Sequence, residues 1–298
     1  MNIHGVNSPG PIEKHPYLDL YENDFDLQRQ NLLLGTFPPS SYFNNLPLNN
    51  IHNANIQNNN PTHYYYGNMN SLWSYLFQLN NANFEIPFIQ ELLFENSISI
   101  SDVFAYIQRK KMISPSDRDL KNIVINSKIM EIFNSHSNIQ TLLFTSGQLT
   151  NFLENTTSTL TGFRWILEEH FDGLNNFTIS GNIHGNGPYF PINNAGLNEA
   201  LNQQNSGIIW WIKSPLKKIR IINLPSPSNN ASIQMMTSPY FKKWIQYKAN
   251  LNNLEPFDLN ANVTEYLFNH PGVFFAPYTI QFRQEVYQMF LNETLHLI

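Results

Sequence analysis

Leu32-Leu33-Leu34-Gly35-Thr36-Phe37-Pro38-Pro39 is an apolar run that stops abruptly in small and proline-rich residues. Ile221-Ile222-Asn223-Leu224-Pro225-Ser226-Pro227-Ser228-Asn229-Asn230 is built the same way near the other end of the chain. A strand buried on both faces reads as a continuous apolar run, and such strands belong to parallel sheets. In open α/β sheets ligands bind beyond the carboxyl ends of these strands. Both loops are therefore expected as walls of one cleft.

Working outward, strands are predicted at 31–35, at 98–104 with Asp102 near the end, at 141–145 and at 218–224. The spacing of Leu72, Trp73, Leu76 and Phe77 predicts a helix over 70–79 with one apolar face. Ser116-Asp117-Arg118-Asp119 reads as a capping box opening a helix that runs to about Phe133. Ser238-Pro239 supplies an N-cap with proline at the first helical position, ahead of a helix over 240–251. A last apolar and aromatic helix is expected over 280–295. Strands alternating with helices imply an α/β fold, a three-layer αβα sandwich around a short, mostly parallel sheet. Residues 1–298 read as one domain. It carries an N-terminal arm at 1–26, an asparagine-dense loop at 44–60, an insertion at 156–207 and a helical extension at 252–298.

The chain has 298 residues, 42% of them hydrophobic and 14% aromatic, which is the composition of a globular protein. No apolar run approaches a membrane span, and no basic-then-apolar leader opens the sequence, so a cytoplasmic protein without membrane contact is expected. The absence of cysteine excludes disulfides, a thiol nucleophile and cysteine-held zinc or iron–sulfur clusters. A net charge of −5 and a pI near 6.0 argue against a basic surface spread over the whole molecule. Local clusters remain at Arg109-Lys110-Lys111, Lys217-Lys218-Ile219-Arg220 and Lys242-Lys243, each either a phosphate contact or a solvated face. His184 lies in a glycine-rich turn with no second ligand at metal spacing, so no metal site and no cofactor are expected.

Gly35-Thr36-Phe37-Pro38-Pro39, Tyr65-Tyr66-Gly67-Asn68-Met69-Asn70-Ser71-Leu72-Trp73 and Leu224-Pro225-Ser226-Pro227-Ser228 together resemble the uracil-DNA glycosylase superfamily, most of all its hypoxanthine-DNA glycosylase branch. Ser101-Asp102-Val103-Phe104, followed by Ser116-Asp117 and Leu120-Lys121-Asn122, is similar to the same branch. The resemblance covers roughly residues 30–150 and 217–250, in the expected order. It implies a metal-independent, monofunctional DNA glycosylase that hydrolyses the N-glycosidic bond of a flipped, deaminated base, hypoxanthine or uracil. It also implies a role in base excision repair of DNA damage.

The residues supply parts for that chemistry. The transition state carries cationic character on the sugar and negative charge on the departing base, so a site must exclude water, donate to the base and hold one attacking water. Gly35, Thr36, Phe37 and Pro38 would lie against the base. The superfamily's usual acid or amide at the third motif position is here Phe37, which cannot activate water. The resemblance assigns the water to Asn70, which equally fits as a plain helix cap. Asp102 is the second water-handling candidate, and its competing role is to brace a loop. Tyr65 and Tyr66 would stack on the base or pack in the core, and Gly67 would allow close backbone approach.

The DNA-facing loop would be Leu224 to Asn230, with Pro225, Ser226, Pro227 and Asn229 among its contacts and Lys217 and Lys218 flanking it. Leucine at 224 fits the hypoxanthine-like branch. Ser228 is small where relatives carry a bulky wedge, which favours single-stranded or mismatched DNA. Two other readings stay open: a module that recognises a modified base without cutting it, and a glycosylase directed at modified phage DNA.

Overall fold

The computed structural model describes residues 10, 12–35, 37, 64–65, 72–79, 85–111, 120–145, 178–180, 209–213, 218–227, 235–237 and 239–296. For 178–180, 209–213, 218, 221, 223, 239–240, 289–290 and 292–296 it describes the backbone alone. The strands are β1 (Ile12–Lys14), β2 (Asn31–Gly35), β3 (Ile98–Asp102), β4 (Phe104–Arg109), β5 (Leu120–Ile125), β6 (Thr141–Phe144), β7 (Thr178–Ser180), β8 (Ile209–Lys213) and β9 (Lys218–Asn223). The α-helices are α1 (Leu72–Phe77), α2 (Ile86–Glu95), α3 (Pro239–Leu251), α4 (Val263–Asn269) and α5 (Tyr278–His296), with 3-10 turns at Glu22–Asp24 and Ser127–Phe133.

The main sheet has six strands in the order β3-β2-β6-β9-β8-β7. Its first four are parallel, and β8 and β7 add antiparallel pairings at one edge. This is an α/β fold. The four parallel strands are the four predicted, except that β3 ends at Asp102 and Phe104 opens β4 in the second sheet. Leu32, Leu33, Leu34, Ile98, Leu142, Leu143, Phe144 and Ile222 are all buried, as expected for strands covered on both faces.

A second sheet, β1-β4-β5, is antiparallel. The helix expected over 116–133 is not formed: 120–125 is strand β5 and 127–133 is 3-10 helix, while 112–119 lie outside the described residues. The β-branched run Ile123-Val124-Ile125 loses side-chain freedom in a helix and packs well on a pleated sheet, so pairing with β4 overrides the local capping signal. The register with β4 shifts between Tyr106 and Gln108, and Asn122 takes a left-handed φ of 48° to absorb the irregularity.

The N-terminal arm is likewise corrected from 12 onward. β1 pairs with β4, and Glu13 is buried with the guanidinium of Arg109 at 3.1 Å. Arg109 is therefore the core partner of a carboxylate and not part of a surface basic cluster; Lys110 is half-buried and Lys111 exposed. Burial pushes the Glu13 carboxyl up, and Arg109 opposes that shift without cancelling it.

The helix expected over 70–79 spans Leu72–Phe77 and buries Leu72, Trp73, Tyr75 and Leu76. The helices expected over 240–251 and 280–295 are present as α3 and α5. They meet through an aromatic core in which Phe241 and Trp244 pack on Phe282, and Trp244 also on Phe274. The turn around His184 lies outside the described residues.

Candidate functional site

Because β3, β2, β6 and β9 run parallel, Asp102, Gly35, Thr145 and Leu224 all leave the sheet at the same edge. The chain passes from β2 to β3 on one side and then to β6 on the other. The carboxyl ends of β2 and β6 thus flank a topological switch point, where open α/β sheets hold their ligands. The Thr145 N–H and hydroxyl both donate to the Leu34 carbonyl, at 3.0 and 3.3 Å, and close this edge between the two strands.

Asp102 and Gly35 are direct partners in the β2–β3 register, so their side-chain positions lie on one face of the sheet. A Cβ placed on Gly35 would come within 2.2 Å of Asp102 Oδ1. Glycine at 35 is what allows the carboxylate to lie over the end of β2. Asp102 is 8% exposed, and a carboxylate so enclosed requires a partner. His15 supplies it: Nε2 lies 2.7 Å from Oδ2. Asn126 braces the turn behind, donating to the Ser101 hydroxyl and to the Asp102 carbonyl, both at 3.2 Å.

An aromatic shell encloses the pair. Phe37 meets the His15 ring edge-on at 5.1 Å, Tyr17 does so at 5.7 Å, and Tyr65 lies 6.2 Å away, tilted. Tyr65 also packs on Tyr17 and Tyr64, and it adopts a left-handed φ of 44°, a conformation that costs a tyrosine roughly 1–2 kcal/mol. Burial first, then the nearby Asp102 and Asp24 carboxylates, push its phenol well above the ordinary range. Tyr65 therefore remains an O–H donor at every working pH. Tyr64 behind it donates to Asp24 at 2.6 Å, and Gln90 donates to the same carboxylate at 2.9 Å.

The second loop sits across β6 from the first, two strand spacings or roughly 10 Å away along the sheet edge. The Leu224 N–H donates to the Phe144 carbonyl at 2.7 Å, extending the ladder by one residue. Leu224, Pro225 and Pro227 are buried and Ser226 is half-buried. Helix α5 holds this loop from behind. Arg283 Nε donates to the Ser226 carbonyl and the Tyr287 hydroxyl to the Pro225 carbonyl, each at 2.9 Å. One position further, Gln288 donates to the Tyr75 and Leu76 carbonyls at 2.8 Å, so the same helix also grips α1.

The structure therefore brings Gly35, Phe37, Tyr65 and Asp102 together and places Leu224, Pro225, Ser226 and Pro227 on the same edge. Thr36, Pro38, Tyr66, Gly67, Asn70, Lys217, Ser228, Asn229 and Asn230 lie outside the described residues, and Lys218 is described by its backbone only. Lys242, in the third basic cluster, donates to the Leu259 carbonyl at 2.5 Å. His15 escapes sequence reasoning because its partner is 87 positions away. The one hint is its place in an otherwise unpatterned segment, between Lys14 and Pro16. Among the described residues no group of three or more His, Asp or Glu could hold a metal ion, and no helix is long and apolar enough to cross a membrane. Compared with known proteins, the chain finds no matching family model, curated protein or solved structure.

Proposed function

We propose that the chain is a cytoplasmic, metal-independent, monofunctional DNA glycosylase, built as an αβα sandwich of the uracil-DNA glycosylase kind. On this reading it removes a deaminated base, hypoxanthine or uracil, from single-stranded or mismatched DNA. The observation that supports this best is the enclosed Asp102 carboxylate, lying over Gly35 at the switch-point edge with one oxygen taken by His15. With the target nucleotide flipped out of the stack, Asp102 accepts a proton from a bound water. The water oxygen bonds to the sugar C1′ as the C1′–N bond breaks, and the electron pair leaves with the base. On this reading the Tyr65 O–H would donate to the departing anion. Asn70 would orient the same water from the segment ahead of α1. The loop at 224–230 would take the phosphates.

The recognition-module reading keeps one point in its favour: Phe37 stands at the usual water-activating position and is spent on packing against His15. One experiment separates the two. End-labelled oligonucleotides carrying uracil, hypoxanthine, xanthine or a modified cytosine, in single and double strands, are incubated with protein and then cleaved with alkali at abasic sites. A glycosylase gives cleavage that falls by about 10²–10⁴-fold in Asp102→Asn and in Asn70→Ala, with binding retained. Binding of one base without cleavage makes the module reading correct.

A further inference from the structure

We propose that His15 is the positioning residue of Asp102, locked by its own backbone in the single tautomer that can donate to the carboxylate. This rests on the reading of Asp102 as the water-handling group. The Tyr17 and Leu18 N–H groups both point at His15 Nδ1, at 3.1 and 3.3 Å. A backbone N–H can only donate, so Nδ1 must present its lone pair and the ring proton must sit on Nε2. That proton is directed to Asp102 Oδ2 at 2.7 Å. Most histidines choose between tautomers according to their surroundings, whereas this one has the choice made by the turn that follows it.

Three further contacts make the arrangement rigid. The His15 N–H donates to the Ala105 carbonyl at 2.8 Å, which ties the residue to the start of β4, three positions beyond Asp102. Phe37 and Tyr17 close on the ring edge-on, and the residue is 2% exposed. His15 holds Oδ2 while Oδ1 lies over Gly35. A base that is misplaced by an ångström loses about 10²-fold in rate, so the value of His15 lies in holding Asp102 still. The segment ahead of the first motif is thereby part of the site.

Two measurements on the full-length chain test this. Long-range 1H–15N correlation of histidine-labelled protein should show His15 with Nε2 protonated and Nδ1 as acceptor, and Asp102→Asn should shift the Nε2 resonance. In the base-release assay, His15→Ala should lower kcat by about 10²-fold with KM nearly unchanged, and His15→Gln, which keeps a donor to the carboxylate, should recover to within about tenfold. A proton on Nδ1, an Nε2 resonance indifferent to Asp102→Asn, or wild-type kcat in His15→Ala overturns the proposal. Wild-type protein inactive on every base, with the tautomer and its response to Asp102→Asn intact, overturns the glycosylase reading and leaves the pair standing.

Discussion

Substituting Gly35 by alanine adds one methyl group at the point where the first motif meets Asp102. The new Cβ would lie 2.2 Å from Oδ1 and 3.3 Å from Cγ. An ordinary van der Waals contact needs roughly 3.5 Å, so the carboxylate must retreat by about an ångström. It cannot do so freely, because Oδ2 is bound to His15 at 2.7 Å and His15 is enclosed by Phe37 and Tyr17. Retreat stretches a buried, charge-assisted hydrogen bond, which costs about 1.5–3 kcal/mol, and repacking the ring cluster adds about 1–2 kcal/mol. Gly35→Ala should therefore destabilise the fold by about 2.5–5 kcal/mol.

Urea unfolding followed by circular dichroism measures this directly, and a double-mutant cycle identifies the cause. With Asp102→Ala already made, the methyl group meets no carboxylate, and adding Gly35→Ala should cost under about 1 kcal/mol. The coupling between the two sites should be about 2–4 kcal/mol, at or above the upper end of the usual range for residues in contact. Equal costs of Gly35→Ala in both backgrounds would refute the reasoning. The glycine would then be required by something other than Asp102.

Two further outcomes are expected. Tyr64, Tyr65 and Tyr287 all have phenols raised by burial, so each is protonated in the fold at pH values where the unfolded chain, titrating near 10, has released its proton. Their contribution is complete below pH 10 and is lost as pH rises above it, by roughly 4 kcal/mol per pH unit for the three together. Phenolate absorbance should therefore rise in step with loss of circular dichroism, and ionisation of all tyrosines in a protein still folded would contradict this. Tyr287→Phe removes the donor to the Pro225 carbonyl and should cost about 1–2 kcal/mol in urea melts. On the glycosylase reading it should also raise KM for an oligonucleotide several-fold at constant kcat, whereas a fall in kcat alone would place this loop in the chemistry and not in binding.

The parallel half of the sheet was legible because Leu32-Leu33-Leu34, Leu142-Leu143-Phe144 and their neighbours are buried on both faces, which leaves no alternation to misread. The loops were legible for the same reason: an apolar run that ends in proline must end at an edge. β5 was misread because capping residues at 116–119 are a local helix signal, while the partner that makes 120–125 a strand is β4, reached only by tertiary pairing. Asp102 was visible as a carboxylate at the end of a buried strand, but nothing local named the group that satisfies it. The Arg283 and Tyr287 contacts were hidden likewise, since α5 shows packing residues in its sequence and the carbonyls they reach are 57 and 62 positions away.

These long-range contacts have a common physical origin. A strand fixes the position of its last residue through the ladder, but beyond the last pairing the backbone groups have no partners and the loop has no fixed path. Something outside the sheet must then supply the missing donors. For the first loop that is the segment around His15, which satisfies Asp102 and packs on Phe37. For the second it is α5, where Arg283 and Tyr287, one helical turn apart, each donate to a carbonyl of the 225–226 turn. The sheet brings the two loops to one edge, roughly 10 Å apart. Flanking elements that carry no motif residues of their own hold Phe37 on one side and the 225–226 backbone on the other. Loss of either brace should thus leave the sheet folded and the site misaligned, which is why the His15 and Tyr287 substitutions are expected to separate rate from binding.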